Sequence, residues 1–338
     1  MSAETGRGPG PRLRDRRVQL HWSNVFGTTA AACLVVLMIT GVILMIFYDP
    51  SADPVVYQGP YGPLTGTEVS RAFRTTMRIS FEVPGGLLLR QAHHWAALLL
   101  PAAVIMQLLV TFFTGAFRRP NRLRWLLLFG LLLAALLGGW SGYALPDDAL
   151  SGTGLRIFEG ILLGIPVLGT FASGVMFGDA FPGRVLELIY PIHVWGTTAL
   201  LLPVVFGLVR SWIRRPAARF AERRRIGPAV AEVPLLPNAA VRAAGLFALA
   251  LGVIMVMGGT MTISPIWLYG PADAGSAYAG SQPDWYTGFL DGALRLVPPG
   301  WEISLFGRTW TLAVIAPLAV ISGFLLLLAL YPWIEERL

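Results

Sequence analysis

Apolar residues run along this chain in long blocks separated by polar, Pro- and Gly-rich stretches. Six blocks reach the roughly 20 residues that a helix needs to cross a bilayer: Val25–Phe47, Gly86–Phe113, Trp125–Tyr143, Pro191–Trp212, Val241–Ile263 and Thr309–Tyr331. A further stretch, Ser151–Gly178, is apolar but broken by Pro166 and several Gly. It is too interrupted to span and reads as a helical hairpin lying in the interface. The pattern predicts an all-α integral membrane protein. Residues 1–20 form a basic, disordered tail, 21–212 a four-helix part, 213–240 a linker (RRPAARFAERRR, then AEVPLLP), and 241–338 a two-helix part.

Composition agrees with lipid as part of the solvent. The 338 residues are 55% hydrophobic and 13% charged, against about 25% charged in an average soluble domain. The net charge of +7 sits in short Arg clusters beside apolar runs, which argues against a nucleic-acid partner. Those clusters also orient the bundle. Residues 1–24, 114–124, 210–242 and 332–338 carry 18 Arg against 6 acids, whereas 48–90, 143–190 and 264–308 carry 8 Arg against 13 acids. The positive-inside rule places the first set, with both termini, in the cytoplasm. The polar N-terminal twenty residues and the lack of an A-x-A site predict no secretory signal peptide. The single Cys33 excludes a disulfide scaffold, a zinc site and a covalently attached c-type haem, which needs C-x-x-C-H.

Intramembrane ionisable groups are costly and start as functional candidates. Of the four His (His21, His93, His94, His193), His93 and His94 lie near the start of the second span and His193 near the start of the fourth, at similar depth on the outer side. Two facing His at one depth are what bis-imidazole haem ligation requires; a His bonded to a backbone carbonyl or capping a helix is the alternative. Gly27 and Gly41 are fourteen residues apart on the first span, so they share a face about 21 Å apart. Gly142 ends the third span. Such Gly admit a flat macrocycle or serve ordinary small-residue packing.

The runs GGLLLRQAHHW (85–95), TGAFRRP (114–120), GYALPDDALSGTG (142–154) and AGSQPDWY (279–286), together with His193, resemble cytochrome b. That is the membrane subunit of quinol–cytochrome c oxidoreductases, and the menaquinol-oxidising form of actinobacteria is most similar. The resemblance runs from about His21 to Leu338 and implies a haem bundle of four helices followed by further spans.

It implies that Arg90, three residues before His93, holds a haem propionate, that His93 and His193 are the axial ligands of the outer haem, and that Gly41 and Gly142 flank that haem. His94, rotated about 100° from His93, reads as a residue behind the ligand or in packing. The family's inner ligands lie about fourteen residues further along. Here those positions are Gln107 and Gly207 or Leu208, Leu128 replaces the matching Gly of the third span, and Met106 has no partner facing it. One haem b is therefore expected, with the inner haem absent or abnormally bound. PDWY resembles the quinol-oxidation motif with Asp in place of Glu. Asp284 would accept a proton from quinol, with a loop-capping role as the alternative. Pro283, Trp285, Tyr286, Tyr143, Leu145 and Pro146 would line its pocket, and Trp301 and Glu302 another wall. Asp147 and Asp148 read as solvated loop acids or a docking face. The chain stops soon after its sixth span, where family members continue into peripheral helices.

The resemblance implies a bacterial plasma-membrane subunit that oxidises (mena)quinol on the outside and works with separate Rieske iron–sulfur and c-type cytochrome subunits, since no spare Cys or His remains for another centre. A homodimer is a family expectation. The alternative is a haem-poor paralogue acting as a scaffold or assembly partner. A transporter has little support, because no inverted repeat relates the halves.

Overall fold

The computed structural model describes residues 17–19, 22–178, 181–213, 232–273, 275, 282–305 and 308–337. Most of the N-terminal tail, His21, most of the 213–240 linker and residues 279–281 lie outside the described residues. In chain order the helices are α1 (Asn24–Met45), α2 (Arg71–Phe81), α3 (Gly86–Phe113), α4 (Arg122–Tyr143), α5 (Ala149–Gly164), α6 (Gly169–Phe177), α7 (Val185–Pro191), α8 (Thr197–Ile213), α9 (Ala240–Thr260), α10 (Ile266–Tyr269), α11 (Trp285–Leu296) and α12 (Leu312–Ile334). Among the described residues six rods are long and apolar enough to cross a membrane: α1, α3, α4, α7 continued into α8, α9 and α12. The 22 residues of α1 and of α4 reach about 33 Å, slightly more than the hydrocarbon core. The chain is an all-α integral membrane protein.

Three antiparallel strand pairs trim the loops: β1 (Arg17–Gln19) with β4 (Glu232–Pro234), β2 (Pro54–Val56) with β3 (Glu68–Ser70), and β5 (Glu302–Leu305) with β6 (Arg308–Thr311). The last pair corrects the predicted start of the sixth span. Thr309–Thr311 belong to β6, and the helix begins only at Leu312. The fourth span also starts earlier than predicted, at Val185 rather than Pro191. Proline usually opens a helix because its missing N–H is an orphan there anyway. Here the helix runs through Pro191 by adding one π turn, Ile192–Gly196, in which the Thr197 amide reaches back to the Ile192 carbonyl. Such turns absorb a residue without breaking the rod, and they collect at functional sites.

The core is built from small residues that let the rods approach closely. Ala30, Cys33 and Val36 of α1 meet Ala92, Ala96, Leu100, Ala103 and Val104 of α3, with Leu128, Leu131, Leu132 and Ala135 of α4 and Ile254 of α9. The outer faces of α8, α9 and α12 stay exposed, with Phe206, Val256 and Phe324 among the uncovered side chains. Such faces are stable against lipid. At the arginine end of the bundle the Trp125 indole donates to the Leu328 and Ala329 carbonyls. Arg118, Arg119 and Arg122 pair with Glu335 and Glu336 beyond α12.

The opposite, histidine end is roofed by short amphipathic elements. In α2 the exposed positions Arg71, Arg74, Arg78 and Phe81 recur every three to four residues while Phe73, Met77 and Ile79 are buried, the signature of a helix lying on a surface. The Ser70 hydroxyl caps α2 by accepting from the Phe73 amide. The expected interfacial hairpin is α5 and α6, opened by a reciprocal Asp148–Ser151 capping box. A second cluster (Leu155, Phe177, Val185, Leu186, Ile189) fastens it to the bundle.

Candidate functional site

The rings of His93 on α3 and His193 in the π turn face each other with centroids 6.2 Å apart and planes at 65°. Each ring is tied from behind. The Thr40 hydroxyl donates to the Val36 carbonyl at 2.6 Å, so its oxygen accepts at 2.8 Å from His93 Nδ1–H. The Ser141 hydroxyl likewise donates to the Leu137 carbonyl at 2.7 Å and accepts from His193 Nδ1–H at 3.1 Å. The network therefore assigns both rings the same tautomer, with the Nε2 lone pairs free. Two facing imidazoles with free Nε2 atoms are a donor set that could hold the iron of one haem.

The glycines next to these hydroxyls complete the cradle. A Cβ on Gly41 would come within 3.3 Å of His93 Cε1, and one on Gly142 within 2.6 Å of His193 Cε1. Any larger residue at 142 would push the ring aside. Arg90, one turn before His93, donates to the Ser264 carbonyl at 3.1 Å. Its buried Nε has no partner among the described residues, so a charge-assisted donor is left over for an anion such as a propionate. The donor set, the tautomers, the cradle and the orphaned guanidinium nitrogen fit one haem.

Towards the arginine end of the bundle the picture differs. The Gln107 side chain donates to Thr111 at 3.4 Å and lies 3.6 Å from where a Cβ on Gly27 would stand. A Cβ on Gly207 would meet the Leu127 methyls at 3.0 Å, and Leu128 is buried in the core with Leu208 against it. These side chains do not fit a second macrocycle held by two imidazoles.

Asp284 occupies the N-cap position of α11, yet its carboxylate makes no capping hydrogen bond. It accepts instead from His94 Nε2, at 3.0 Å to Oδ1 and 2.9 Å to Oδ2, and from the Tyr286 hydroxyl at 2.8 Å. Tyr286 lies buried against α4, where a Cβ on Gly139 would strike its ring at 2.7 Å. Burial first, then the neighbouring Asp284, pushes the Tyr286 phenol well above its ordinary value, so it remains a donor. The indole of Trp285, half exposed, donates to the Leu98 carbonyl. Tyr143 closes the same corner, its hydroxyl on the Leu150 carbonyl and its ring over Gly154.

Three expectations need correction. Asp147 and Asp148 are buried rather than solvated. Burial raises both carboxyls, and Ser151 and then Arg90 oppose that rise at Asp148. Trp301 is exposed and Glu302 opens the exposed strand β5, so they form no wall. His94 is bonded to Asp284 rather than standing behind the ligand.

The family described as Cytochrome b(N-terminal)/b6/petB matches residues 98–271. The chain belongs to the cytochrome b family. Among its relatives are proteins named cytochrome bc1 complex cytochrome b subunit. The Streptomyces coelicolor protein is 41% identical over 94% of this chain and 58% of its own length. The Mycobacterium tuberculosis protein (strain H37Rv) is 42% identical over the same shares, and the Corynebacterium efficiens protein 40% over 94% and 59%. This cytochrome b chain thus spans under two-thirds of the length of those relatives. A solved "Hyperthermophilic respiratory Complex III" chain shares its fold, with a TM-score of 0.71 at 22% identity over 94% of this chain and 77% of that one. Membership of the cytochrome b family implies binding of haem b.

Sequence reading passed over Thr40 and Ser141, although a signal was present: each is the hydroxyl residue immediately before a cradle glycine, Thr40–Gly41 and Ser141–Gly142. Thr40→Val leaves the buried His93 N–H without its hydroxyl acceptor, and Ser141→Ala leaves the His193 N–H only the Gly138 carbonyl. Loss of such a partner weakens a metal site roughly 10-fold or more. Haem retention against a competing apo-haemoprotein should fall by about that factor in each variant, and the b band should move. Retention equal to that of the unsubstituted protein in both variants would remove the assigned roles.

Proposed function

We propose that this cytochrome b is the membrane subunit of a respiratory electron-transfer complex and oxidises a quinol, of the menaquinol class, beside Asp284. It would hold one haem b between His93 and His193, with Arg90 at a propionate. The observation that carries the reading is the pair of imidazoles whose Nδ1–H groups are spent on Thr40 and Ser141 while their Nε2 atoms are free. In this reading residues 21–212 supply the haem-binding part and 241–338 bring the PDWY loop. The histidine end faces outward across a bacterial plasma membrane, and both termini are cytoplasmic. Rieske and c-type cytochrome subunits act as partners in this reading, the relatives being named as cytochrome b subunits of a bc1 complex.

When bound, the haem supplies a one-electron redox centre at the histidine end. The work of this chain's own residues is proton handling and positioning. A carboxylate offers about four acceptor sites. His94 engages one on each oxygen of Asp284 and Tyr286 a second on Oδ2. Oδ1 therefore keeps the free site at which a quinol hydroxyl would leave its proton. Trp285 and Tyr143 shield that corner, which strengthens these hydrogen bonds.

Pyridine haemochrome analysis of the purified protein tests the reading, with one b-type haem expected per chain. Two would overturn the single-haem reading. None would favour the second reading, a haem-poor scaffold, which the filled space around Gln107, Leu127 and Leu128 supports.

A further inference from the structure

Asp284 faces two competing demands. As the N-cap of α11 it has the local option to accept amide hydrogens from its own first turn, the usual role of Asp at that position. The structure shows the other choice: the Thr287 amide is taken by the Asp284 backbone carbonyl at 2.9 Å, while the carboxylate turns away to His94. The two side chains are only 16% and 10% exposed, so their hydrogen bond forms with little competition from water. His94 is held in turn. Its neighbours on α3, Arg90, Gln91 and Trp95, all bond the backbone of the 261–264 segment: Arg90 to the Ser264 carbonyl, Gln91 from the Ile263 amide and Trp95 to the Met261 carbonyl. This part of α3 is therefore fixed against the end of α9, and the imidazole is presented from a rigid base.

We infer that His94 is the positioning residue of the quinol-oxidation site: it pulls the Asp284 carboxylate off the end of α11 and leaves one acceptor site on Oδ1 free. This rests on the reading of Asp284 as the quinol's proton acceptor. It also gives the side-by-side histidines distinct tasks. Consecutive residues on a helix point about 100° apart. His93 therefore faces His193 while His94 faces α11, and one stretch of α3 sets both the haem ligand and the quinol acid. A nitrogen donor at the right reach is the whole requirement, so an amide should substitute for the imidazole.

The test compares His94→Leu, His94→Gln and the pair His94→Leu/Asp284→Asn with Asp284→Asn alone, in native membranes. The rate at which 2,3-dimethyl-1,4-naphthoquinol reduces the b band is measured as kcat and KM. In His94→Leu the carboxylate falls back to cap α11. Displacement of a catalytic group by about 1 Å can cost roughly 100-fold, so kcat should drop by about that factor with KM little changed and the oxidised haem spectrum intact. His94→Gln should restore most of the rate. In the Asp284→Asn background the Leu substitution should add nothing, because the group it positions is already gone. A normal kcat in His94→Leu, a Gln variant as slow as Leu, or additive losses in the pair would each overturn the assignment. If Asp284→Asn is itself without effect, the quinol-site reading fails and takes the inference with it.

Discussion

Alanine at His93 or at His193 is expected to remove the b-type absorption band outright. The two rings are the sole imidazoles that face each other among the described residues, at 6.2 Å between centroids. Truncation would leave one imidazole to hold a haem iron and a ring-sized space beside Gly41 or Gly142. The surviving ring keeps its hydroxyl anchor, Thr40 or Ser141, so the loss belongs to the deleted ligand and not to a collapsed site. Added imidazole, which fits the void, should return part of the band in either variant. His94→Gln, one residue away on α3, should keep the band and serves as the control for folding. The readout is the dithionite-reduced minus oxidised spectrum of solubilised membranes. An undiminished band in either alanine variant would show that the assigned residue does not bind the iron.

The second large effect is expected at Asp284. Asparagine preserves shape and can still accept from His94 and Tyr286, but it cannot take up a proton at Oδ1. A positioned general base contributes on the order of 100- to 10,000-fold, so quinol oxidation in Asp284→Asn should slow at least about 100-fold. The haem band should stay unchanged, because Asp284 bonds His94 and Tyr286 and not His93 or His193. Stopped-flow reduction of the b band by naphthoquinol separates the two readouts in one experiment. A rate equal to that of the unsubstituted protein would remove Asp284 from the chemistry.

Much of this architecture was legible in the apolar blocks, because a helix surrounded by lipid must be apolar along its whole length. Block ends were less legible where another element shares the same residue types. Thr309–Thr311 read as helix yet pair in β6, and Pro191 read as a start although the rod continues through it. The facing of His93 and His193 followed from their common depth. The Asp284–His94 bond did not, since it joins residues 190 positions apart, and no local pattern announces it. Charge also misled: Asp147 and Asp148 look solvated in sequence, but the Asp148–Ser151 box and the roof over the bundle bury them. The hydroxyl anchors were the reverse case, written beside the glycines in plain sight.

The π turn after Pro191 has a consequence for how the rod is counted. It loops out one residue, so everything beyond it is advanced by one step of screw rotation relative to an unbroken helix. Fourteen regular steps bring a side chain back to within about 40° of its starting bearing. Past the turn, that bearing belongs to the fifteenth residue from His193, Leu208, and not to Gly207. Leu208 is packed against the core. The compass point that carries an imidazole near one membrane face thus carries a plain hydrocarbon near the other, and the swap is seen only when the extra residue is included in the tally.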